Sequence, residues 1–310
     1  MPVLLVAFQG EPGAFSEEAA RKLLGREVRT APRPTFEALF EAVRSPRGAA
    51  DCILVPLENS LAGAIQRNYD LLLASGLRVT GEVVMPIAHH LIGCKGATLK
   101  QITTVQSHPV ALAQCERFFA ANPHFARVAA DDTAGSVREI VQRGDPTRAA
   151  IGSEYAASLY GGRILRRHVQ DHRENYTRFV LAAPVPQSAG GSKPKANGLA
   201  ARAGRKSPQP DKLSLVFELR HRPGALCRAL EPFASRGLNL MKIESRPIPG
   251  RPWEYRFYVD VRTSSAPGTN GSTGSLGISA ALTELKRATT RVYVLGLYVA
   301  ARGTLNGHNG

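Results

Sequence analysis

The stretch that decides the fold of this 310-residue chain is VLLVAFQGEPGAFSEE, residues 3–18. It begins with a continuous apolar run from Val3 to Phe8, which is typical of a buried parallel strand. Gly10 and Gly13 then predict a tight turn into a helix, with Ser16 as the helix N-cap. A strand that turns directly into a helix indicates an α/β fold. The turn also presents backbone N–H groups to an anion, although an ordinary turn is the simpler interpretation.

Strands and helices alternate in this way to about residue 183, and polar residues follow three of the predicted strands. They are Asn59 and Ser60, then Ser107 ahead of Pro109, and Thr133, which is expected to cap a helix. Each is an ordinary turn or cap residue when taken alone. Ligands of open α/β folds bind where strands end, so the three clusters and the glycine turn together favour a small anionic ligand.

A fourth candidate lies on the last strand of this region, which reads ENYTRF at residues 174–179. On a regular strand Asn175 and Thr177 share one face, whereas Arg178 points to the other. An amide beside a hydroxyl is able to line a pocket. A β-branched threonine is also ordinary in a strand, and that interpretation is favoured until other residues are considered.

The composition changes after residue 183. Residues 184–211 are rich in Pro, Gly, Ser, Ala and Lys, which predicts a flexible basic linker. From 212 to 300 the predicted order is strand, helix, strand, strand, helix, strand, the ferredoxin-like βαββαβ arrangement. A Gly/Ser/Thr loop occupies residues 264–275, and residues 301–310 form a tail.

The net charge of +15 is the most pronounced feature of the composition, and its simplest meaning is a polyanionic partner. Its distribution argues against nucleic acid or a membrane surface. Residues 1–183 hold 21 basic and 18 acidic residues, so most of the excess lies in the linker and the C-terminal module. No nucleic-acid-binding motif and no apolar run of the ~20 residues that span a bilayer occur.

Cofactor and metal chemistry have no support in the sequence. The adjacent His89 and His90 are expected to face opposite sides of a strand, and no third ligand stands out, so we expect no metal site. Four cysteines lie far apart without a CxxC pair, which is typical of reduced thiols in a cytoplasmic protein.

Taken together, these residues resemble prephenate dehydratase with a C-terminal ACT regulatory domain. The segments that carry the resemblance are FQGEPGAFS at 8–16, VPLENS at 55–60, SHP at 107–109, AQC at 113–115, DTA at 132–134 and N-x-TRF at 175–179, followed by RPGAL at 222–226 and IESRP at 243–247. The chorismate mutase segment of bifunctional members is not seen, so the chain resembles the monofunctional form.

The resemblance implies a catalytic domain at 1–183 with two lobes of periplasmic-binding-protein type, at about 1–80 plus 175–183 and at about 85–172. It also implies a cofactor-free reaction in which prephenate loses water and CO₂ to give phenylpyruvate. Thr177 would act as the donor to the departing hydroxyl. The residues that would hold the substrate are Asn59, Ser60, Ser107, Gln114, Thr133, Asn175 and Arg178, although a regular strand points Arg178 away from Thr177. Gly135 and Ser136 depart from the small alanines that usually follow Thr133, which leaves arogenate open as the alternative substrate.

For the ACT domain at 212–300, the resemblance implies a phenylalanine site between subunits of a homodimer or a dimer of dimers. Its residues would be Gly224, Ala225, Leu226, Asn239, Glu244, Ser245 and Arg246. A non-enzymatic amino-acid sensor is the alternative of a different class, because both folds also serve binding proteins.

Overall fold

The computed structural model describes residues 3–44, 50–185, 209–263 and 273–301. Nearly all of the predicted linker and tail, and most of the loop at 264–275, lie outside these residues. The strands are β1 Leu5–Gln9, β2 Arg29–Arg33, β3 Cys52–Asn59, β4 Gly63–Ala64, β5 Arg78–Pro86, β6 His90–Gly93, β7 Thr104–Ser107, β8 Ala126–Ala129, β9 Arg148–Gly152, β10 Arg163–Arg166, β11 Tyr176–Ala183, β12 Lys212–Glu218, β13 Leu240–Ile248, β14 Arg251–Arg262 and β15 Arg291–Tyr298. The helices are α1 Phe15–Leu24, α2 Phe36–Arg44, α3 Gln66–Ser75, α4 Pro109–Ala113, α5 Glu116–Ala120, α6 Thr133–Arg143, α7 Glu154–Tyr160, α8 Ala225–Ala234 and α9 Thr273–Ala288.

Two sheets form the first 183 residues, as expected for an α/β fold with two lobes. The first has the order β2-β1-β3-β11-β5, with β4 paired to β3. Its apolar strand β3 is buried from Cys52 to Leu57 because helices cover both faces of such a sheet. The second has the order β10-β6-β9-β7-β8. It is more mixed than expected, since β6 pairs antiparallel with both β9 and β10.

The structure corrects two predicted helix caps. The N-cap of α1 is Ala14, which has no side-chain cap, and Ser16 lies buried inside the first turn. The N-cap of α6 is Asp132, whose carboxylate accepts the N–H of Gly135 at 2.6 Å, so Thr133 is the first helical residue. In both places the sequence has several polar residues in a row, and a carboxylate one or two positions away satisfies the free N–H groups instead.

The glycine turn before α1 is a structural turn and not an open anion cradle. Glu17, which is 4 % exposed, returns its carboxylate to the helix start and accepts the Gly13 N–H at 2.7 Å. The Gly10 N–H donates to the carbonyl of Arg33. The turn also meets the second sheet's helices, because the Tyr160 hydroxyl donates to the Pro12 carbonyl at 2.5 Å. The ordinary interpretation of this turn therefore holds.

The chain divides into two compact units. The N-terminal unit contains residues 3–71 together with Val83–Leu181, and so holds most of the first two sheets. The C-terminal unit contains Leu72–Glu82 together with the described residues from Ala182 onward. Strand β5 crosses from one unit to the other at Glu82.

The C-terminal unit contains the expected βαββαβ module. Its sheet has the order β13-β14-β12-β15, and its described pairs are all antiparallel. Phe217, Val259 and Phe233 belong to one apolar core shared by the sheet and the helices. The alternation of apolar residues along β12 and β14 therefore places one face of the sheet against α8 and α9.

A buried ionic cluster lies on the other face of this sheet. Lys212 Nζ contacts both carboxylate oxygens of Glu82, at 3.0 and 3.1 Å, and lies 3.6 Å from the carboxylate of Asp260. All three residues are less than 10 % exposed. The backbone N–H of Ala301 also donates to Glu82, at 2.9 Å. The cluster therefore fixes the first half of β5 to the module.

Candidate active site

The candidate site lies where the chain passes between the first two sheets. One passage runs from the end of β5 to His89, and the other runs from β10 to Asn175. The two passages are hydrogen-bonded to each other: the Ile87 N–H donates to the Asn175 carbonyl at 2.7 Å, and the Val169 N–H donates to the His89 carbonyl at 2.9 Å. Side chains from both lobes converge on this crossing.

A chain of side-chain hydrogen bonds crosses the site in a fixed direction. Asn59 Oδ1 accepts the backbone N–H groups of Leu61 and Ala62 at 3.0 and 2.9 Å. Because backbone N–H groups only donate, the other end of this amide must be its nitrogen. Asn59 Nδ2 donates to Asn175 Oδ1 at 2.7 Å and to Thr177 Oγ1 at 3.0 Å.

The same direction continues through the second amide. Since Asn175 Oδ1 is an acceptor, Asn175 Nδ2 is the donor, and it lies 3.1 Å from Gln114 Oε1. That oxygen also lies 2.9 Å from His89 Nε2, which must therefore carry a proton. Gln114 lies at the break between α4 and α5, as the C-cap residue of α4.

This arrangement leaves the Thr177 hydroxyl hydrogen available. Thr177 is 8 % exposed, and among the described residues its oxygen is an acceptor from Asn59. A hydroxyl whose oxygen accepts one hydrogen bond donates its own hydrogen more readily to a second group. Strand alternation places Asn175 and Thr177 on one face, and the structure shows that both accept from the Asn59 amide.

His89 is the residue of this site that the sequence did not identify. It is 3 % exposed, its ring packs edge-on against Phe15 with centroids 5.8 Å apart, and burial lowers its pKa, so the ring is neutral. Its Nδ1 is buried and has no hydrogen-bond partner among the described residues. A histidine next to another on a strand carries no sequence signal that separates a role in a site from a role in the core.

The two predicted serines are engaged with the backbone. The Ser60 hydroxyl donates to the Glu174 carbonyl and accepts the Tyr176 N–H, each at 2.9 Å, so it fixes the start of β11. Ser107 is fully buried, and its hydroxyl donates to the Ile151 carbonyl at 2.7 Å. The structure therefore does not present the Ser107 hydroxyl as a ligand donor, contrary to the prediction.

Thr133 and Arg178 stand apart from the hydrogen-bonded chain. Thr133 begins α6 and has a half-buried side chain. The Arg178 guanidinium lies 3.7 Å from the Glu58 carboxylate. The regular strand thus points Arg178 away from Thr177, as the alternation predicts.

The predicted phenylalanine-site residues fall into two groups in this chain. Ala225 and Leu226 line a cavity of about 130 Å³ together with the aromatic residues Trp253, Tyr255 and Phe257. Gly224 precedes them with φ of 73°, a value that favours glycine. The residues of β13 do not line that cavity, and Glu244 and Arg246 face the opposite side of the strand from Ser245. Asn239, just before β13, contacts the sulfur of Met241.

The described residues contain no group of three or more His, Cys, Asp or Glu side chains able to hold a metal ion. No helix within them is long and apolar enough to cross a membrane.

Comparisons with known proteins agree with this architecture. The prephenate dehydratase family model matches residues 6–186, and the ACT domain model matches residues 213–266. The chain is 38% identical over 302 residues to arogenate dehydratase/prephenate dehydratase 2 of Arabidopsis thaliana, covering 94% of this chain and 72% of that protein. A prephenate dehydratase from Arthrobacter aurescens solved with L-Phe has a TM-score of 0.76 at 29% identity, covering 96% of this chain and 90% of that one. A structure described as a novel type of quorum quenching acylase has a TM-score of 0.77 at 31% identity, covering 96% and 98%.

Proposed function

This chain belongs to the prephenate dehydratase family and carries an ACT domain, and on that basis we propose that it converts prephenate to phenylpyruvate in phenylalanine biosynthesis. Members of this family are carbon–oxygen lyases, so the chain is an enzyme rather than a non-enzymatic sensor. The proposal therefore concerns the substrate, the residues that act on it and the regulation.

The observation that carries the mechanism is the directed hydrogen bond from Asn59 to Thr177. In the reaction the bond between the ring and its carboxylate breaks, CO₂ leaves, and the electron pair enters the ring. The bond between the ring and the hydroxyl then breaks, and the departing oxygen takes a proton to leave as water. Thr177 would donate to that oxygen, because Asn59 already occupies one lone pair of its hydroxyl. A proton from solvent balances the reaction.

The amides of the site suit an anionic substrate. Asn59, Asn175 and Gln114 are uncharged, and the neutral His89 adds no charge to the chain. Neutral donors orient a carboxylate without the strong ion pair that would stabilise it against decarboxylation. Ser60 and Thr133 supply the borders of the site, and Arg178 is the weakest member of the proposed set because it faces Glu58. No cofactor or metal takes part in the proposed mechanism.

A direct assay tests the substrate. The purified full chain is given prephenate and arogenate in parallel, without metal or cofactor, and products are followed as the phenylpyruvate enolate in alkali and as phenylalanine. We expect faster turnover of prephenate. Preferential turnover of arogenate would instead assign the arogenate dehydratase activity, which the name of the Arabidopsis relative gives beside the prephenate dehydratase activity. An acyl-homoserine lactone in a third arm tests the activity named for the acylase neighbour.

We further propose that phenylalanine binds the ACT domain and inhibits the enzyme. Ala225 and Leu226 already line an aromatic cavity in one chain, and Ser245 lies on a different element. A second copy that placed its β13 beside this cavity would complete the proposed set of residues, and this is our ground for a homodimer or dimer of dimers. Met241 and Ile243 on the edge strand β13 are 45% and 44% exposed, as an interface would require. Light scattering of the full chain with and without phenylalanine tests the oligomeric state. The prephenate assay with and without phenylalanine tests the inhibition.

The cytoplasm remains our proposed location. Cys52, Cys94 and Cys115 are buried as free thiols, and burial raises the pKa of Cys52 and of Cys115 to about 12. Cys52 and Cys115 therefore stay protonated and unreactive at neutral pH, which fits a reducing compartment. Cell fractionation with a tagged chain tests the location.

A further inference from the structure

The C-terminal unit contains an open cavity of about 480 Å³ whose polar lining is almost entirely cationic. Two separate segments of the chain meet there. The loop between β12 and α8 and the first turn of α8 contribute Arg220, Arg222 and Arg228, and the end of α9 contributes Arg287. Thr289 and Thr290 complete the polar lining, and no Asp or Glu residue lines the cavity.

These four arginines contrast with several other basic residues of the same unit, which pair with carboxylates. Arg236 pairs with Glu284 at 2.5 Å, and Arg256 pairs with Glu218 at 3.3 Å. The arginines of the cavity have no ion-pair partner among the described residues. Arg228 donates to the backbone carbonyl of Pro223 at 3.1 Å, which holds its side chain beside the loop and leaves its charge uncompensated.

Glu218 contacts the cavity lining through its backbone, and its carboxylate does not neutralise the cavity. It ends β12, and its backbone carbonyl accepts both the N–H and the hydroxyl of Thr290, at 2.9 and 3.0 Å. Its carboxylate is buried and contacts Arg251 and Arg256. The hydroxyl hydrogen of Thr289 is likewise used internally, on the Leu285 carbonyl. The donors left for a ligand are therefore the guanidinium groups.

The chemistry of the lining defines the ligand. Guanidinium groups bind phosphate oxygens in pairs of parallel hydrogen bonds, and four of them match the charge of a di- or triphosphate. The cavity volume falls within the range of about 300–1,000 Å³ that is usual for small-molecule sites. A carboxylate ligand such as an amino acid would leave most of the positive charge unpaired.

We propose that this cavity is a binding site for a small polyphosphate ester of nucleotide size, separate from the Thr177 site. Like charges gathered around one cavity repel one another, and a bound polyphosphate relieves that repulsion. The site also accounts for part of the net charge that the sequence concentrates beyond residue 183. Arg220, Arg222 and Ala225 border both this cavity and the smaller one beside Trp253, whereas Arg228 and Arg287 border only this one.

Isothermal titration of the full chain with inorganic tripolyphosphate and with ATP tests the proposal. The double variant Arg228→Ala/Arg287→Ala removes two charges that line this cavity alone. The control Arg26→Ala/Arg29→Ala removes two exposed charges of the N-terminal unit and gives the same net charge. We expect one saturable site per chain, a loss of at least about tenfold in affinity in the first variant, and wild-type affinity in the control. Added salt should weaken binding. Thermal unfolding of both variants, with Arg228→Gln/Arg287→Gln as a milder pair, separates lost binding from lost folding.

Several outcomes would overturn the proposal. If neither tripolyphosphate nor ATP gives a saturable heat of binding, the cavity is not a polyphosphate site. An equal loss in both variants assigns the binding to overall charge, and wild-type affinity in the first variant places the binding elsewhere, for example in residues 184–211. Tighter binding of a short DNA duplex than of tripolyphosphate at the same salt concentration would assign the cavity to a nucleic-acid backbone instead.

Discussion

Two buried polar clusters of this chain differ in the charge they hold. The cluster around Thr177 is neutral throughout, and each of its hydrogen bonds runs in a direction set by the backbone N–H groups that bond Asn59. In the other cluster, Lys212 lies within 4 Å of two carboxylates, Glu82 and Asp260. In the first cluster the Thr177 hydroxyl has no acceptor for its own hydrogen among the described residues, whereas the charged groups of the second contact one another.

The two clusters differ in how their stability depends on each buried group. A neutral amide chain orients a hydroxyl at little cost, because each group keeps a partner when the site is empty. A buried ionic cluster is stable only while all of its members are present, since removing one leaves an uncompensated charge. We therefore expect changes near Thr177 to alter catalysis with little loss of stability, and changes near Lys212 to alter stability.

The largest effect is expected from Thr177→Ala. Loss of the hydroxyl removes the donor to the departing oxygen, and general-acid assistance contributes about 10²–10⁴ in rate. We expect kcat to fall by that factor with KM and the thermal unfolding midpoint nearly unchanged. Thr177→Ser, which keeps the hydroxyl, should retain most of the activity. Near-normal kcat in the alanine variant would remove Thr177 from the mechanism.

Lys212→Met should have the largest effect on stability. The variant leaves the Glu82 and Asp260 carboxylates buried without their cation, which costs about 3–5 kcal/mol in the free energy of unfolding. Denaturant titration at neutral pH measures this difference in the free energy of unfolding. Lys286→Met, at an exposed position of α9, is the control. Equal stability of the two variants would contradict the assigned role of the cluster.

The contrast between these clusters also marks what the sequence was able to predict. The alternation along β11 placed Asn175 and Thr177 on one face and Arg178 on the other, because strand geometry has a period of two. The βαββαβ order followed from the same patterns. Fold and the centre of the site were therefore accessible from local rules and the family resemblance.

Contacts between distant segments were not accessible in that way. The partner of His89 is Gln114, 25 residues away, and the partner of Lys212 is Glu82, 130 residues away. The hydroxyl of Ser107 was expected to meet a ligand because it follows a strand, yet the neighbouring strand β9 supplies the Ile151 carbonyl that accepts its hydrogen. Side-chain hydrogen bonds of this kind depend on which elements become neighbours, and a single sequence does not state that.

His89→Phe should have a smaller effect on catalysis than Thr177→Ala. The ring keeps its packing against Phe15 but loses the donor to Gln114, and one such hydrogen bond contributes about 1 kcal/mol, or roughly fivefold in kcat. His89→Gln offers an N–H at a similar position and should recover most of the loss. A purely structural role predicts that both variants lower stability and leave kcat unchanged, so the kcat of the pair decides the role.

The same histidine should make stability depend on pH. Burial lowers the pKa of His89 below its ordinary value, so the unfolded chain binds this proton more readily than the folded chain. Stability from this group is complete above its unfolded pKa of about 6.5 and decreases as the pH falls below that value. His90 adds to the effect, because burial lowers its pKa to about 4. The unfolding midpoint should thus fall from pH 7 to pH 5, and less steeply in His89→Phe. An unchanged slope would show that His89 takes up its proton equally in the folded and the unfolded chain.

The smallest effect is expected at Arg178. The result decides whether this side chain binds the substrate or only contacts Glu58. Its guanidinium lies 3.7 Å from a Glu58 carboxylate that is 36% exposed, and such pairs contribute about 0–1 kcal/mol. We expect Arg178→Met to change KM for prephenate less than about threefold, an energy within that same range. A double-mutant cycle with Glu58→Gln should show a coupling of the same small size. A rise in KM well beyond this in Arg178→Met, absent from Glu58→Gln, would instead show that Arg178 contacts a substrate carboxylate. Arg178 faces Glu58, on the opposite side of the strand from Thr177, so it cannot reach a ligand held at Thr177 while β11 stays regular. That result would therefore also require a different conformation of β11 when substrate binds.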